Sequence, residues 1–346
     1  MSATANGYRS LIGELTDDFA TWSASADRGE VADRRDGAVY DVAPDLLLAV
    51  NVALATGRPL LLRGEPGSGK SSFAAYLARN LNWRYYEHVV SSTTVAMDLL
   101  WRFDAVRRLS DAQAQRPLID ASYVEPGPLW WMLDPESAAG RGADGSGVSP
   151  AVEPLAETNA SRRPGHAVLL IDELDKADPD VPNALLVPLS AWTFTVAETG
   201  TQVDGRRFED GLRARGDGVA GIGAAGRMLV IVTTNEERQL PPAFLRRCVV
   251  HTLRPPDSTT LARIAALHFY GPGDHAVSPT DTALFAAVAD KLAQVRKHLA
   301  GGERVPGTAE YLDAVRACRE LGITPEDSDD NWLRLVRATM EKPASA

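Results

Sequence analysis

A glycine-rich segment in the first quarter of the chain has the residue types that could hold phosphate. Gly64, Gly69, Lys70 and Ser71 satisfy the pattern G-x-x-x-x-G-K-[ST]. An apolar run precedes the pattern and a helical run follows it, so backbone N–H groups and a helix N-terminus would converge on phosphate oxygens. Lys70 would reach the β- and γ-phosphates of a nucleotide, and the Ser71 hydroxyl would bind Mg²⁺. The alternative is a glycine-rich turn with a solvated lysine. The predicted nucleotide-binding residues are Gly64, Glu65, Pro66, Gly67, Ser68, Gly69, Lys70, Ser71 and Ser72.

Two adjacent acids, Asp172 and Glu173, follow the apolar run HAVLLI. Neighbouring side chains of a strand point to opposite faces, so one carboxylate would face a metal ion and the other a water. Asp172 would share Mg²⁺ with Ser71, and Glu173 would position and polarise the attacking water. The alternative is a pair of solvated acids at a strand end.

A third polar cluster, Thr233, Thr234 and Asn235, follows the apolar run RMLVIV. Asn235 is placed to touch a γ-phosphate or the attacking water, although asparagine is also a common turn residue. Further along the chain, Arg246 and Arg247 end a short apolar segment. Taken alone, these two arginines are helix C-terminal charges that complement the helix dipole.

Five runs predict the strands that would position these residues. They are residues 59–63, 83–90, 166–171, 228–233 and 248–253. Four of them are continuously apolar, as strands covered on both faces require, whereas 83–90 is more amphipathic and suits a sheet edge. Alternation of such runs with longer helical patterns predicts an α/β fold with a parallel sheet.

The texture of the sequence also predicts a domain organisation. Residues 1–40 are polar and are interpreted as a short amphipathic helix and a linker, 41–255 as the nucleotide-binding α/β domain, and 256–346 as an α-helical domain. Two segments, near 134–165 and 204–226, are rich in Gly and other small or polar residues, and the first has too few large apolar residues to bury anything. We therefore expect mobile insertions there.

Composition excludes several classes of protein. The 346 residues carry 46 acidic and 36 basic side chains, and the net charge of −10 disfavours a surface that neutralises nucleic-acid phosphates. Only two cysteines, Cys248 and Cys318, are present and they are far apart, which excludes a disulfide framework and a thiolate metal site. With no apolar run long enough for a membrane span, we expect a cytoplasmic protein without membrane contact.

The three polar clusters, in this order and spacing, resemble the AAA+ ATPases and, within them, the MoxR family. The likeness covers about residues 42–320 and includes the segments YVEPGPLWWML, SSTTVAMDLLWRFD and DELDKADPDVPNALLVPLS. It implies a P-loop NTPase core, with a parallel sheet sandwiched by helices, a C-terminal α-helical lid, and ATP with Mg²⁺ as ligands. It also implies a homo-oligomeric ring, most often a hexamer, with Asn235 as the sensor-1 residue. Arg247, with Arg246 as the neighbouring candidate, would be an arginine finger acting on the next subunit's ATP.

The sequence departs from that family in two places. Relatives often carry a sensor-2 arginine in the first turn of a lid helix, where this chain has Gly307, Thr308 and Ala309. Arg304 and Arg316 do not match the pattern, so whether any sensor-2 residue exists stays open. Cys248 stands where the family often has phenylalanine after the finger arginine.

The resemblance implies Mg²⁺-dependent ATP hydrolysis that drives remodelling or activation of a client protein. Such clients often contain a von Willebrand A domain, and this chain lacks the D-x-S-x-S metal motif, so that domain would be a separate polypeptide. Two alternatives remain: a nucleotide-dependent signalling scaffold with low turnover, suggested by the missing sensor-2 arginine, and a nucleic-acid motor, disfavoured by the net charge. Trp101, Trp130 and Trp131 are either client contacts or core residues.

Overall fold

The structure is a computed structural model and describes residues 11–12, 37–143, 147–205, 228–271, 276–298, 305–325 and 330–340. Contacts between residues divide the chain into two compact units. The first, here the sheet unit, comprises Met1–Glu14, Pro44–Leu62 and Leu81–His251. The second, here the helical unit, comprises Leu15–Ala43, Arg63–Asn80 and Thr252–Ala346. The domain boundary predicted at residue 255 stays a prediction.

Nine strands lie in the described residues. They are β1 (Leu60–Arg63), β2 (Trp83–Val89), β3 (Trp101–Phe103), β4 (Val124–Pro126), β5 (Arg163–Asp172), β6 (Thr193–Thr195), β7 (Gln202–Asp204), β8 (Met228–Thr234) and β9 (Val249–Thr252).

Fourteen α-helices lie in the same residues. They are α1 (Pro44–Thr56), α2 (Lys70–Asn80), α3 (Ala96–Leu100), α4 (Ala105–Gln113), α5 (Pro128–Leu133), α6 (Pro135–Ala139), α7 (Ala156–Asn159), α8 (Asp180–Ala184), α9 (Leu186–Ala191), α10 (Pro242–Leu245), α11 (Ser258–Tyr270), α12 (Pro279–His298), α13 (Thr308–Leu321) and α14 (Asn331–Met340). Within the described part of the chain, no helix is both long and apolar enough to cross a membrane.

The central sheet contains the five predicted strands, in the order β2-β5-β8-β1-β9. β2 pairs in parallel with β5, and β5 pairs in parallel with β8. β1 and β8 are buried apart from one partly buried end residue, and β5 is buried over residues 167–172, as the continuous apolar runs predict. The prediction that β9 is also covered on both faces is wrong, because β9 is partly exposed at a sheet edge. β2 is mostly buried in its first half, has exposed residues at Glu87 and Val89, and lies at a sheet edge. The predicted α/β fold with a parallel sheet flanked by helices is confirmed.

Two small antiparallel hairpins, β3–β4 and β6–β7, adjoin the sheet. Trp101 of β3 stacks on Phe194 of β6 with ring centroids 5.7 Å apart, and Trp130 meets the same ring edge-on at 6.1 Å. Trp101, Trp130 and Trp131 are all at most 5% exposed. They are therefore core residues, and the interpretation of these three tryptophans as surface contacts for a client is wrong.

The segment near 134–165 is better anchored than its composition indicates. Ala138 and Asn159 are fully buried. The Asn159 side chain accepts the N–H of Tyr85 at 2.9 Å and donates to the carbonyl of the same residue at 3.2 Å. The expectation that this segment buries nothing is wrong, because polar hydrogen bonds replace large apolar side chains as its anchor. Its mobility stays a prediction. Most of the second insertion, near 204–226, and nearly all of the N-terminal segment lie outside the described residues.

The helical unit contains the four C-terminal helices α11–α14, which share one apolar core. Asp257 caps the N-terminus of α11, and its side chain accepts the N–H of Thr260 at 2.8 Å. Gly322 follows the last residue of α13 and adopts the left-handed conformation typical of a residue that caps a helix C-terminus. The Tyr311 hydroxyl, buried in this core, donates to the carbonyl of Phe285 at 3.0 Å. These helices agree with the predicted C-terminal α-helical domain.

Candidate functional site

The phosphate loop follows β1 in the chain and precedes α2, and both the loop and α2 lie in the helical unit. Gly64, Gly67 and Gly69 have φ values of +150°, +74° and +89°, which side chains other than glycine rarely adopt. A Cβ at Gly64 would also lie 2.6 Å from the carbonyl oxygen of Leu253. α2 begins as the N–H of Phe73 donates to the Gly69 carbonyl at 3.1 Å. The glycines of the motif thus permit a backbone path that other residues would block.

Lys70 lies under this loop rather than in solvent. Its residue is 6% exposed, and its Nζ donates to the carbonyls of Gly64 and Glu65, both at 2.8 Å. A third contact of 3.5 Å reaches the Ser68 hydroxyl. The interpretation of Lys70 as a solvated lysine on a glycine-rich turn is therefore wrong. The ammonium group is held at the loop, where it could neutralise phosphate oxygens.

Tyr40 is a residue at the loop that the sequence motifs do not indicate. A Cβ at Gly69 would lie 3.2 Å from the Tyr40 ring, which also packs against Phe73 and Tyr76 at centroid distances of 5.2 and 5.7 Å. Burial, and then the charge of Asp41, raise the pKa of the Tyr40 phenol. Tyr40 therefore remains neutral, and its ring packs against the loop at Gly69.

The start of α13 lies directly on the loop. The N–H of Thr308 donates to the Gly67 carbonyl at 3.0 Å. Glu310 is 6% exposed and accepts the N–H of Gly307 at 2.9 Å, which closes the first turn of the helix. This is the turn in which relatives often carry arginine. Arg304 lies outside the described residues, so only Arg316 of the two candidate replacements can be placed, on α13.

Arg296 is a further cation near this turn that the motifs do not indicate. It lies in the last turn of α12 and donates from Nε to the Pro306 carbonyl at 2.9 Å and from Nη1 to the Pro256 carbonyl at 3.2 Å. Desolvation lowers the pKa of Arg296, against the opposing charges of Glu65 and Glu310. The Arg296 side chain thus links the segment that precedes α11 to the segment that precedes α13. Its charge also interacts with the Glu65 carboxylate of the phosphate loop.

The two predicted acids lie at the carboxyl end of β5 in the sheet unit. Asp172 is 2% exposed, and its Oδ1 accepts a hydrogen bond of 2.6 Å from the hydroxyl of Thr233 on β8. The same hydroxyl accepts the N–H of Glu173 at 2.8 Å. Because β5 and β8 are parallel neighbours, their carboxyl ends meet at one edge of the sheet. Thr233 therefore fixes the backbone at Glu173 and the carboxylate of Asp172 with one oxygen.

Glu173 presents its carboxylate between two donors. Its φ of +59° lies in the left-handed region, and a 3₁₀ turn, Leu174–Lys176, follows it. Asn235 Nδ2 donates to Oε1 at 3.1 Å, and Lys176 Nζ donates to Oε2 at 2.6 Å. The predicted residues Asp172, Glu173 and Asn235 thus belong to one cluster. Lys176 joins them although no motif singled it out.

Asp175 is the second member of the cluster that the motifs do not indicate. It is 2% exposed, and its Oδ2 accepts the N–H groups of Asn235 at 3.1 Å and Glu237 at 3.0 Å. Its buried Oδ1 has no hydrogen-bond partner among the described residues. Asp175 therefore holds the loop that carries Asn235 close to the end of β5, because its carboxylate accepts two backbone N–H groups of that loop.

Arg246 and Arg247 do not belong to this cluster. Both are exposed and follow α10, and Arg247 Nη1 donates back to the Ala243 carbonyl at 3.0 Å. The N–H of Val249 donates to the Pro59 carbonyl at 2.9 Å, so the two arginines adjoin the amino end of β1. A cleft of about 230 Å³ lies there, lined in part by Arg58, Arg247 and Cys248.

Comparison with known proteins decides the family. Residues 59–248, more than half of the chain, match the model of the AAA domain (dynein-related subfamily). The chain belongs to the AAA family. No curated protein sequence matches it significantly. Among solved structures, this AAA chain is similar to the Thermotoga maritima RuvB P216G mutant, with 15% identity, a TM-score of 0.39, and coverage of 85% of this chain and 67% of the other.

The donor atoms of this AAA chain fit the ligands that its family implies. Asp172 and Ser71 offer only oxygen, the donor type that Mg²⁺ prefers. The phosphate loop offers backbone N–H groups at the N-terminus of α2 and the Lys70 ammonium, which suit a polyphosphate. The roles of the individual residues stay predictions. Membership of the finer MoxR family also stays a prediction.

Proposed function

We propose that this protein hydrolyses ATP. The observation that carries the proposal is the cluster at the carboxyl ends of β5 and β8, where Glu173 is held by Asn235 and Lys176 beside the buried Asp172. This cluster lies in a chain that belongs to the AAA family and has a complete phosphate loop. A general base with fixed orientation and a buried metal-binding carboxylate are the groups that phosphoryl transfer to water requires.

In the proposed reaction, residues 64–72 bind the triphosphate through backbone N–H groups and Lys70. Ser71 and Asp172 would hold Mg²⁺, which when bound neutralises charge on the phosphate oxygens. Glu173 orients a water and accepts its proton as the water oxygen bonds to the γ-phosphorus. The bond from that phosphorus to the bridging oxygen breaks, and the electron pair leaves with ADP. Asn235 donates to the γ-phosphate or to the water.

Arg247, with Arg246 as its neighbour, is proposed to act on the ATP of an adjacent subunit in a homo-oligomeric ring, a hexamer. Support comes from the position of the arginines, which are exposed and adjoin the amino end of β1, whereas the phosphate loop follows the carboxyl end of the same strand. An arginine finger supplied in trans stabilises charge in the transition state and makes hydrolysis depend on assembly.

The energy of hydrolysis is proposed to remodel or activate a client protein in the cytoplasm, as the MoxR resemblance implies. Opening and closing of the C-terminal helices would be coupled to the nucleotide through the contact between Gly67 and Thr308. A separate polypeptide with a von Willebrand A domain is the client class that the resemblance suggests. A signalling scaffold with low turnover is the second candidate, and Glu310 in the turn where relatives carry arginine favours it.

Steady-state phosphate release tests the proposal. Wild-type protein should turn over ATP, and Glu173→Gln should retain ATP binding while losing at least about 100-fold in kcat, because the amide cannot accept the proton. Glu125→Gln, at an exposed position of β4, is the matched control and should match wild type. Tight ATP binding without turnover in the assembled wild-type protein would refute hydrolysis and support the scaffold.

Mixing tests the trans arginine. Arg247→Ala subunits should have little activity alone, and Lys70→Ala subunits should have none. Mixed rings should regain activity, because a Lys70→Ala subunit can supply Arg247 to an intact phosphate loop. Arg246→Ala provides the comparison that separates the two arginines. Absence of recovery at every mixing ratio would contradict a finger in trans.

A further inference from the structure

Lys176 lies three residues after Glu173 and contacts its carboxylate directly. The distance from Lys176 Nζ to Glu173 Oε2 is 2.6 Å, while Asn235 donates to the other oxygen. Two donors on the two oxygens fix both the position and the rotation of a carboxylate. The Glu173 carboxylate is thereby held from opposite ends, and each oxygen keeps a second lone pair free to accept from water.

The backbone conformation of Glu173 does not by itself fix the position of its carboxylate, which depends on the two hydrogen-bond donors. Glu173 is in the left-handed conformation, fixed by the hydrogen bond of its N–H to Thr233. That bond sets where the side chain starts, but three rotatable bonds lie between the Glu173 backbone and its carboxylate. Since 29% of the side chain is exposed, packing alone does not select one rotamer. The donors from Lys176 and Asn235 supply the selection.

Lys176 also separates Glu173 from other negative charges. Its ammonium is drawn by Glu173 first and then by Glu237 and Asp175, which together raise the pKa of Lys176. Without the Lys176 ammonium, no positive charge at that position would offset the carboxylates of Glu173, Asp175 and Glu237. Like charges repel, so Glu173 would turn toward solvent and away from the geometry that Asn235 and Lys176 impose.

We propose that Lys176 is a positioning residue that orients the Glu173 carboxylate for activation of the attacking water. The inference rests on the proposed ATP hydrolysis and adds a residue to it. As an ion pair between partly exposed side chains, Lys176–Glu173 contributes little to stability. The effect of its loss should therefore be seen in kcat and not in folding.

The first test compares Lys176→Met with Lys176→Arg. Lys176→Met keeps the length of the side chain and removes its charge, and should lower kcat about 10-fold with the KM for ATP changed less than about 2-fold. Lys176→Arg can still donate to Glu173 and should restore at least about half of the wild-type kcat. The matched control is Arg116→Met, which removes an exposed ion pair with Asp111 in the same unit and should leave kcat unchanged.

A double-mutant cycle tests whether Lys176 acts through Glu173. In the Glu173→Gln background, Lys176→Met should cause no further loss of the residual turnover, because the group that it orients is already disabled. An equal 10-fold loss in both backgrounds would overturn the proposal, as would wild-type or raised kcat in Lys176→Met. If wild-type protein itself shows no turnover, hydrolysis fails. If wild type is active and Lys176→Met matches it, only the role of Lys176 fails.

Discussion

Thr233 offers the sharpest test of how the cluster at the carboxyl ends of β5 and β8 is built. Its hydroxyl, fully buried, accepts the Glu173 N–H at 2.8 Å and donates to Asp172 Oδ1 at 2.6 Å. Thr233→Val keeps the shape of the side chain and deletes both bonds. It leaves one backbone donor without this acceptor and removes one charge-assisted bond, a cost of about 2 to 5 kcal/mol in the free energy of unfolding.

Thr233→Ser is the matched control. It keeps the hydroxyl and loses one buried methyl group, which costs about 1 kcal/mol. The two variants should therefore differ by about 1 to 4 kcal/mol, with the valine variant less stable. Thr233→Val should also lose at least about 10-fold in kcat, because the backbone of Glu173 and the carboxylate of Asp172 are both released. The serine variant should retain most of its activity.

Urea unfolding followed by tryptophan fluorescence measures the difference in stability. The signal reports mainly the unit that contains Thr233, since five of the seven tryptophans belong to the sheet unit. Equal unfolding free energies of the valine and serine variants would refute the reasoning, because the methyl group would then account for the whole effect. A valine variant that is stable but inactive would show that Thr233 positions Glu173 and Asp172 without contributing to stability.

Three further predictions concern the start of α13, the core and a buried histidine. Gly307→Ala should weaken ATP binding about 10-fold, because its Cβ would lie 2.7 Å from the Pro66 carbonyl oxygen. Gly322→Ala is the comparison: its Cβ would meet no atom within 4 Å, and ATP binding should be unchanged. Equilibrium titration with labelled nucleotide measures both affinities. Trp130→Ala should cost about 3 to 5 kcal/mol of unfolding free energy in urea, because this side chain is fully buried. His88 has its pKa lowered by desolvation, so the unfolded chain binds more protons and stability falls as pH falls. In His88→Val, the loss of melting temperature between about pH 7.5 and 5.5 should be smaller than in wild type, and an equal loss would contradict this account.

The central sheet was predictable because its strands are coded locally. A run such as AVLLI, residues 167–171, is apolar at every position, as a strand covered on both faces requires. The hairpins were harder to predict, since β3, β4, β6 and β7 have three residues each and show no periodicity at that length. The expectation that the segment near 134–165 buries nothing was wrong for a different reason. Their anchor is Asn159, a polar side chain whose two bonds to Tyr85 span 74 positions.

The positions of the phosphate loop and of the acids at the end of β5 could be predicted because their residue types follow from the chemistry, and their roles stay predictions. The residues that support them were not predictable, because their roles depend on contacts between distant segments. Asp175 meets the N–H of Asn235 across 60 positions, and Arg296 meets the Pro256 carbonyl across 40. A buried carboxylate that accepts two backbone N–H groups has a structural role of its own.

The charged residues at and just after the end of β5 therefore divide into distinct roles, and their variants should differ in stability and turnover. Asp172 and Asp175 are buried and bonded to Thr233 or to backbone N–H groups, so loss of either carboxylate should lower stability as well as turnover. Glu173 and Lys176 are partly exposed and bonded to each other, so loss of either should lower turnover with little change in stability. Burial alone thus predicts which substitutions in one short motif affect folding and which affect only the reaction.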